Sequence, residues 1–294
     1  MCCFFGPGIE RLRVDNTSIF ARHVGENEQI IAYEMVLNAS NDVVMVLPLP
    51  VGSRDEQRAV QFLNLEKCPF LFDRLREMLP VWRSRYGGRG DFDGASIDSL
   101  FAKPRLEVQT VGRFEASFVP SIADFDRLDP RFRVAPELWA ELGSYADWGF
   151  AVFQMREIER GKSRRVHPMA FRFVSRDPRS LFFPTVHVHD GSVHATAKFD
   201  HLLFFQREIP HRPKDRLYLD GEIWRYDRHA PYDRQGQVRW NERAENPAEL
   251  GDAYFTSESS PDNVIDAKLP LQGFGMRGLL PNRDTWLHFK ARQQ

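Results

Sequence analysis

Short runs in which apolar and polar residues alternate, closed by turn residues, constrain this chain more than any other feature. MAFRFVS (169–175) is such a run. A period of two is that of an extended strand with one face on a core. Many of the 24 phenylalanines fall in runs of this kind. DVVMVLPLP (42–50) is different, being apolar almost throughout. It predicts a buried central strand, stopped by Pro48 and Pro50.

Further strands are predicted over 18–23, 29–37, 106–119, 149–157, 167–175, 181–189 and 192–206, the later ones as an antiparallel meander. One helix is expected to begin near Asp55, with Ser53 as its cap and Glu56 as capping-box partner. A second is expected over 70–78, with Pro69 in its first turn and Pro80 closing it. Residues 121–128 and 136–142 are short helix candidates. Residues 83–103 contain GGRGDFDG and read as a mobile loop, in which the RGD triplet is a chance match. From Glu208 onward charge and turn residues dominate. Trp224, Trp240 and Trp286 nonetheless lie there, which a disordered tail rarely carries. The expectation is an α+β fold, mainly antiparallel β-sheet with a few short helices and an irregular C-terminal arm. Residues 1–207 would form the β-rich core domain, and 208–294 the arm packing back on it.

A net charge of −1 and a pI near 6.8 give no long-range attraction for nucleic acid or an anionic membrane. No apolar run has the length of a membrane helix. The start, MCCFFGPGIERLR, reads neither as a secretion signal nor as a transit peptide. Three cysteines do not make a disulfide framework. A cytoplasmic protein is expected, with neither nucleic acid nor membrane as partner; the sequence gives no other partner.

TVHVHDGSVHAT (185–196) holds three of the nine histidines. Asp190-Gly191 predicts a type I′ hairpin turn. That register faces His187 with His194 and puts His189 one step along the same face. Opposed residues lie about 4.5–5.5 Å apart at Cβ. His187, His189 and His194 are therefore candidate ligands for zinc or another divalent transition metal, with a fourth position open as a metal-dependent hydrolase needs. Locally the spacing resembles the zinc site of carbonic anhydrases. A hairpin with its valines on the core and its His/Thr/Ser face in water accounts for the same pattern without a metal. Asp200, His201 and His167 extend the polar theme, in a register that one bulge would change.

The other place for chemistry is MCCFF. Removal of Met1 would leave Cys2 with a free α-amine beside its thiol, which makes Cys2 a candidate catalytic nucleophile. The start resembles cysteine-type N-terminal nucleophile hydrolases, such as glutamine amidotransferases and choloylglycine hydrolases. Alternatively, residues 2–5 are a first strand packed in the core. A Cys2 or Cys3 thiolate could also complete the histidine cluster. DFDGASID (91–98) lacks the final glutamate of a calcium loop, and no phosphate loop, nucleophile elbow or H-E-X-X-H helix is present.

CCFFGPGIE, SIFARHV, IIAYEMVL and DVVMVLPLPVG together resemble a large group of bacterial proteins of unknown function. These share a Cys/Phe-rich start, an IFA strand and a strand ending in L-P-x-P. VGRFEASFVPS, WGFAVFQM and VHPMAF have the same look. The resemblance implies a bacterial, β-rich protein and carries over no activity. Three functional readings follow: a metal-dependent protein using His187, His189 and His194, a non-catalytic β-rich binding or scaffold protein, and a Cys2 hydrolase.

Overall fold

The structure is a computed structural model. It describes residues 3–5, 12–38, 43–55, 59–78, 106–112, 114–129, 143–155, 164–165, 167–188, 192–207, 217–219, 222–224, 239–244, 264–266, 269 and 271–289. Strands are numbered along the chain. The first sheet has the order β1 (Cys3–Phe5), β4 (Val43–Leu49), β8 (Gly149–Met155), β7 (Phe114–Val119), β6 (Val108–Val111). The second has the order β15 (Arg239–Ala244), β16 (Leu271–Pro281), β12 (Thr196–Gln206), β2 (Arg13–Val24), β3 (Glu28–Asn38), β10 (Met169–Val174), β5 (Val60–Asn64), with β9 (Arg164–Arg165) also beside β3. The third has the order β11 (Ser180–Phe183), β17 (Thr285–Phe289), β13 (Leu217–Leu219), β14 (Glu222–Trp224).

The first two sheets share one core, and the third contributes to it. Met45, Leu47, Phe114 and Phe153 of the first sheet meet Ile31, Tyr33, Phe171, Leu203 and Phe274 of the second, joined by Leu181, Phe182, Phe183 and Leu287 of the third. The outer faces of the first two sheets are covered as well. Val44, Val46, Phe150 and Val152 lie under Phe125 and Tyr145. Phe20, Ala32, Phe204 and Leu202 lie under Leu71, Phe72 and Leu75 of the helix α1 (Leu71–Met78). Burial on both faces explains the unbroken apolar runs. All seven residues of β4 are buried, and so are all seven of β8. The buried Glu34 of β3 pairs with Arg76 of α1 at 2.9 Å, and Arg76 also donates to Ser18, which pins the helix to its sheet.

The chain is nearly all-β, not α+β. Among the described residues α1 is the only α-helix. The helix expected to begin near Asp55 would run through residues 56–58, which lie outside the described residues; the Asp55 N–H donates to Ser53 Oγ at 3.2 Å, and β5 follows at Val60. Residues 121–128 hold only a 3-10 turn, Ile122–Arg127, where Ser121 Oγ donates to Asp124 instead of capping a backbone N–H. Residues 136–142 lie outside the described residues. A serine two or three positions before an acidic residue serves a turn as readily as a helix, and packing decides between them.

Nor do the later strands form a meander. β12 pairs in parallel with β2 and antiparallel with β16 over its full length. The expected irregular arm is likewise corrected: β16 lies inside the second sheet between β15 and β12, and β17 is central to the third. Leu271, Phe274, Met276 and Leu287 belong to the core, as only strands buried on a face can. No helix among the described residues is long and apolar enough to cross a membrane.

Candidate functional site

β11 ends at Phe183, and residues 184–188 continue as an extended strap outside any strand ladder. Thr185, Val186, His187 and Val188 are all buried. Buried main-chain groups need partners, and here side chains supply most of them. Asp284 Oδ1 accepts from the N–H of Thr185 (2.8 Å) and of Val186 (3.0 Å). Asn282 Oδ1 accepts from the His187 N–H at 2.7 Å, and its Nδ2 donates to the His187 carbonyl at 2.8 Å. The primary amide thus reproduces the two-way exchange of a β-ladder pair. Beyond it, the Val188 carbonyl accepts from the Phe4 N–H at 3.0 Å, in a parallel bridge between Val188 and Cys3.

Asp284 is the hub of this arrangement. Its Oδ2 accepts from the Tyr145 hydroxyl at 2.7 Å. Thr185 Oγ1 donates to the Arg283 carbonyl at 2.9 Å and lies 2.8 Å from Thr285 Oγ1. Tyr145 belongs to the 3-10 turn Gly143–Tyr145 ahead of β8, and Asp284 stands between β16 and β17. One carboxylate therefore ties together parts of all three sheets. Burial pushes its pKa up to about 6, although the bonds from Val186, Tyr145 and Thr185 favour the ionised form. Burial, and then the charge of Asp284, drive the Tyr145 hydroxyl far above its ordinary value.

The His187 ring finds a histidine, but not the expected one. His187 Nε2 lies 3.3 Å from His201 Nε2, with the rings stacked at 5.0 Å and 22°. Phe199 packs against both rings, at 4.3 Å and 5.1 Å between centroids. His201 is fully buried. Its Nδ1 is 3.5 Å from Asp200 Oδ1, and Asp200 Oδ2 accepts the Asn16 N–H at 2.7 Å. Asn16 sits in a bulge of β2 at φ 55°, a left-handed position that asparagine tolerates.

The hairpin register does not form among the described residues. His194 is exposed in the stretch before β12, and the Asn282 N–H donates to its neighbour Ala195. The supposed water-facing side of the strap is buried, Thr185 and His187 included. His189 lies outside the described residues, as does Cys2. Cys3 is fully buried in β1, in the strand reading of MCCFF, and clusters with Val186 and Val188. The pleat turns His187 to the opposite side, so Cys3 does not join it. Among the described residues no group of three or more His, Cys, Asp or Glu is placed to hold a metal. His167 is buried elsewhere, against Phe114 at 4.4 Å.

His201 had a sequence signal: Phe199, His201, Leu203 and Phe205 alternate, which points His201 inward with the phenylalanines. Asn282 and Asp284, in LLPNRDTW, had none beyond a turn.

No protein-family model matches the chain, and no curated protein matches it. Among solved structures it is similar to baculovirus P35, at 12% identity and a TM-score of 0.48, over 99% of this chain and 100% of that one. A mutated baculovirus P35 after caspase cleavage gives 11% and 0.45, over 94% and 100%. The caspase-8/P35 complex gives 10% and 0.39, over 97% and 98%. At these scores the likeness does not establish a shared fold.

Proposed function

We propose that this chain is a non-catalytic β-rich binding or scaffold protein. One observation carries the reading: the polar groups gathered where the three sheets meet are engaged in holding the backbone. Asp284 and Asn282 replace the ladder that the strap lacks. His187 and His201 face each other behind Phe199. A catalytic metal needs an open coordination position, and a nucleophile needs access to its substrate. Burial of His187 and His201 gives no such open position, and Cys3 is buried as well.

Calorimetric titration of the untagged protein with zinc tests the reading against a metal-dependent one. No stoichiometric binding is expected. One equivalent bound, and lost on His187→Ala, would restore the metal-dependent hydrolase. Thiol labelling completes the test. Cys3 and Cys68, both buried, are expected to react only on unfolding, and fast labelling of Cys2 alone would favour the N-terminal hydrolase. A caspase is one partner to assay. P35 forms a complex with caspase-8.

A further inference from the structure

Asp284 holds a strap from one side, a tyrosine from another, and a turn between two strands of different sheets, all through two oxygens. We propose that Asp284 is a proton-operated latch on the strap 184–188, tightened by proton uptake and loosened by proton loss. The geometry accommodates both states. Ionised, Oδ1 accepts from Thr185 and Val186 while Oδ2 accepts from Tyr145. Protonated on Oδ2, the acid donates to Tyr145 Oη, and the tyrosine hydroxyl turns from donor to acceptor. Oδ1 keeps both N–H groups. The Asp284–Tyr145 bond is kept with its direction reversed, the phenol proton gives up Oδ2 as its acceptor, and a buried charge is removed.

The direction follows from linkage. The folded-state value is raised from 3.8 to about 6. An open strap would return the carboxyl to water and its ordinary value. The latch therefore contributes fully below about pH 4, and its contribution is lost as pH rises through about 6. Among the described residues the surrounding charges are few. The N-terminal ammonium favours the ionised form. Cys3 of β1, when charged, acts on Tyr145. Arg283 is exposed on the same turn, and Thr285 of β17 and Met276 of β16 carry no charge. On the strap, His187 is turned to His201 of β12, with Asp200 beside it.

The experiment uses the whole chain, followed from pH 4 to pH 7 by two readouts. One is the ¹³C shift of the Asp284 carboxyl. The other is hydrogen exchange at the Thr185 and Val186 amides, corrected for the intrinsic rate. The carboxyl is expected to titrate near 6, and the strap's opening constant to rise roughly 50-fold across the range. Asp284→Asn keeps an acceptor for both amides and has no proton to lose. Its strap exchange should be flat with pH, which separates Asp284 from the neighbouring histidines. A carboxyl titrating near 4, or an Asp284→Asn profile that follows the wild type, overturns the latch. Should that variant fail to fold, Tyr145→Phe serves instead. Loss of a donor to the ionised form should move the carboxyl midpoint upward, and an unmoved midpoint overturns the assignment.

Discussion

β12 is held by main-chain hydrogen bonds to a strand on each side, whereas the strap 184–188 is held largely by two side chains. In β12 every residue from Thr196 to Gln206 has a partner on β16, and Leu202 to Gln206 have a second on β2. In the strap, the N–H groups of Thr185, Val186 and His187 go to Asp284 and Asn282. Both segments are extended, the strap is buried, β12 is buried from His201 onward, and they lie close enough for His187 to meet His201. The difference lies in where the binding free energy is concentrated. A ladder spreads it over many backbone groups that no substitution other than proline removes. The strap concentrates it in residues that a single mutation deletes.

Five substitutions put that contrast to the test. Asp284→Ala has the largest expected effect. It strands two buried N–H groups and the Tyr145 hydroxyl, at a cost of about 3–5 kcal/mol in urea unfolding. A loss under 1 kcal/mol would mean that the strap has other support. Next comes Leu203→Ala, in the middle of β12 and facing the shared core. It should cost about 3 kcal/mol through lost packing, with the ladder intact. Protection of its amides should fall only as far as global stability falls.

Asn282→Ala is smaller, about 2 kcal/mol. Its signature is local: exchange at His187 should accelerate while that of β12 tracks global unfolding. Equal acceleration in both would show that strap and strand open together and that the contrast is false. The histidine pair gives the smallest effect. His187→Phe and His201→Phe should each cost about 1 kcal/mol by taking the ring-to-ring contact from the imidazole that remains. The double variant should cost less than their sum, since the contact between the rings can be lost only once. Strict additivity would mean that the 3.3 Å contact between the rings carries no energy.

Strand content was legible wherever burial is one- or two-sided in a regular way. MAFRFVS alternates and is β10; VVMVLPL is apolar throughout and is β4, with both faces covered. Helix signals were weaker because Ser53 and Ser121 make turn contacts that imitate caps over a few residues. TVHVHDGSVHAT misled for a different reason. The turn signal and the alternation are real, but a period of two states only that the segment is extended. It does not say what pairs with it.

Local sequence determined which segments of this protein are extended and which of their residues face inward, because side-chain periodicity is a property of the chain itself. That alone put Phe199, His201, Leu203 and Phe205 on one face. Tertiary structure decided the partners. β12 lies beside β2 and β16, each more than sixty residues away in sequence; the strap lies against Asn282 and Asp284, close to a hundred residues on. Such pairings are selected by the packing of a core to which all three sheets contribute. No local pattern at 184–188 encodes that its missing ladder will be replaced by one amide and one carboxylate from the far end of the chain.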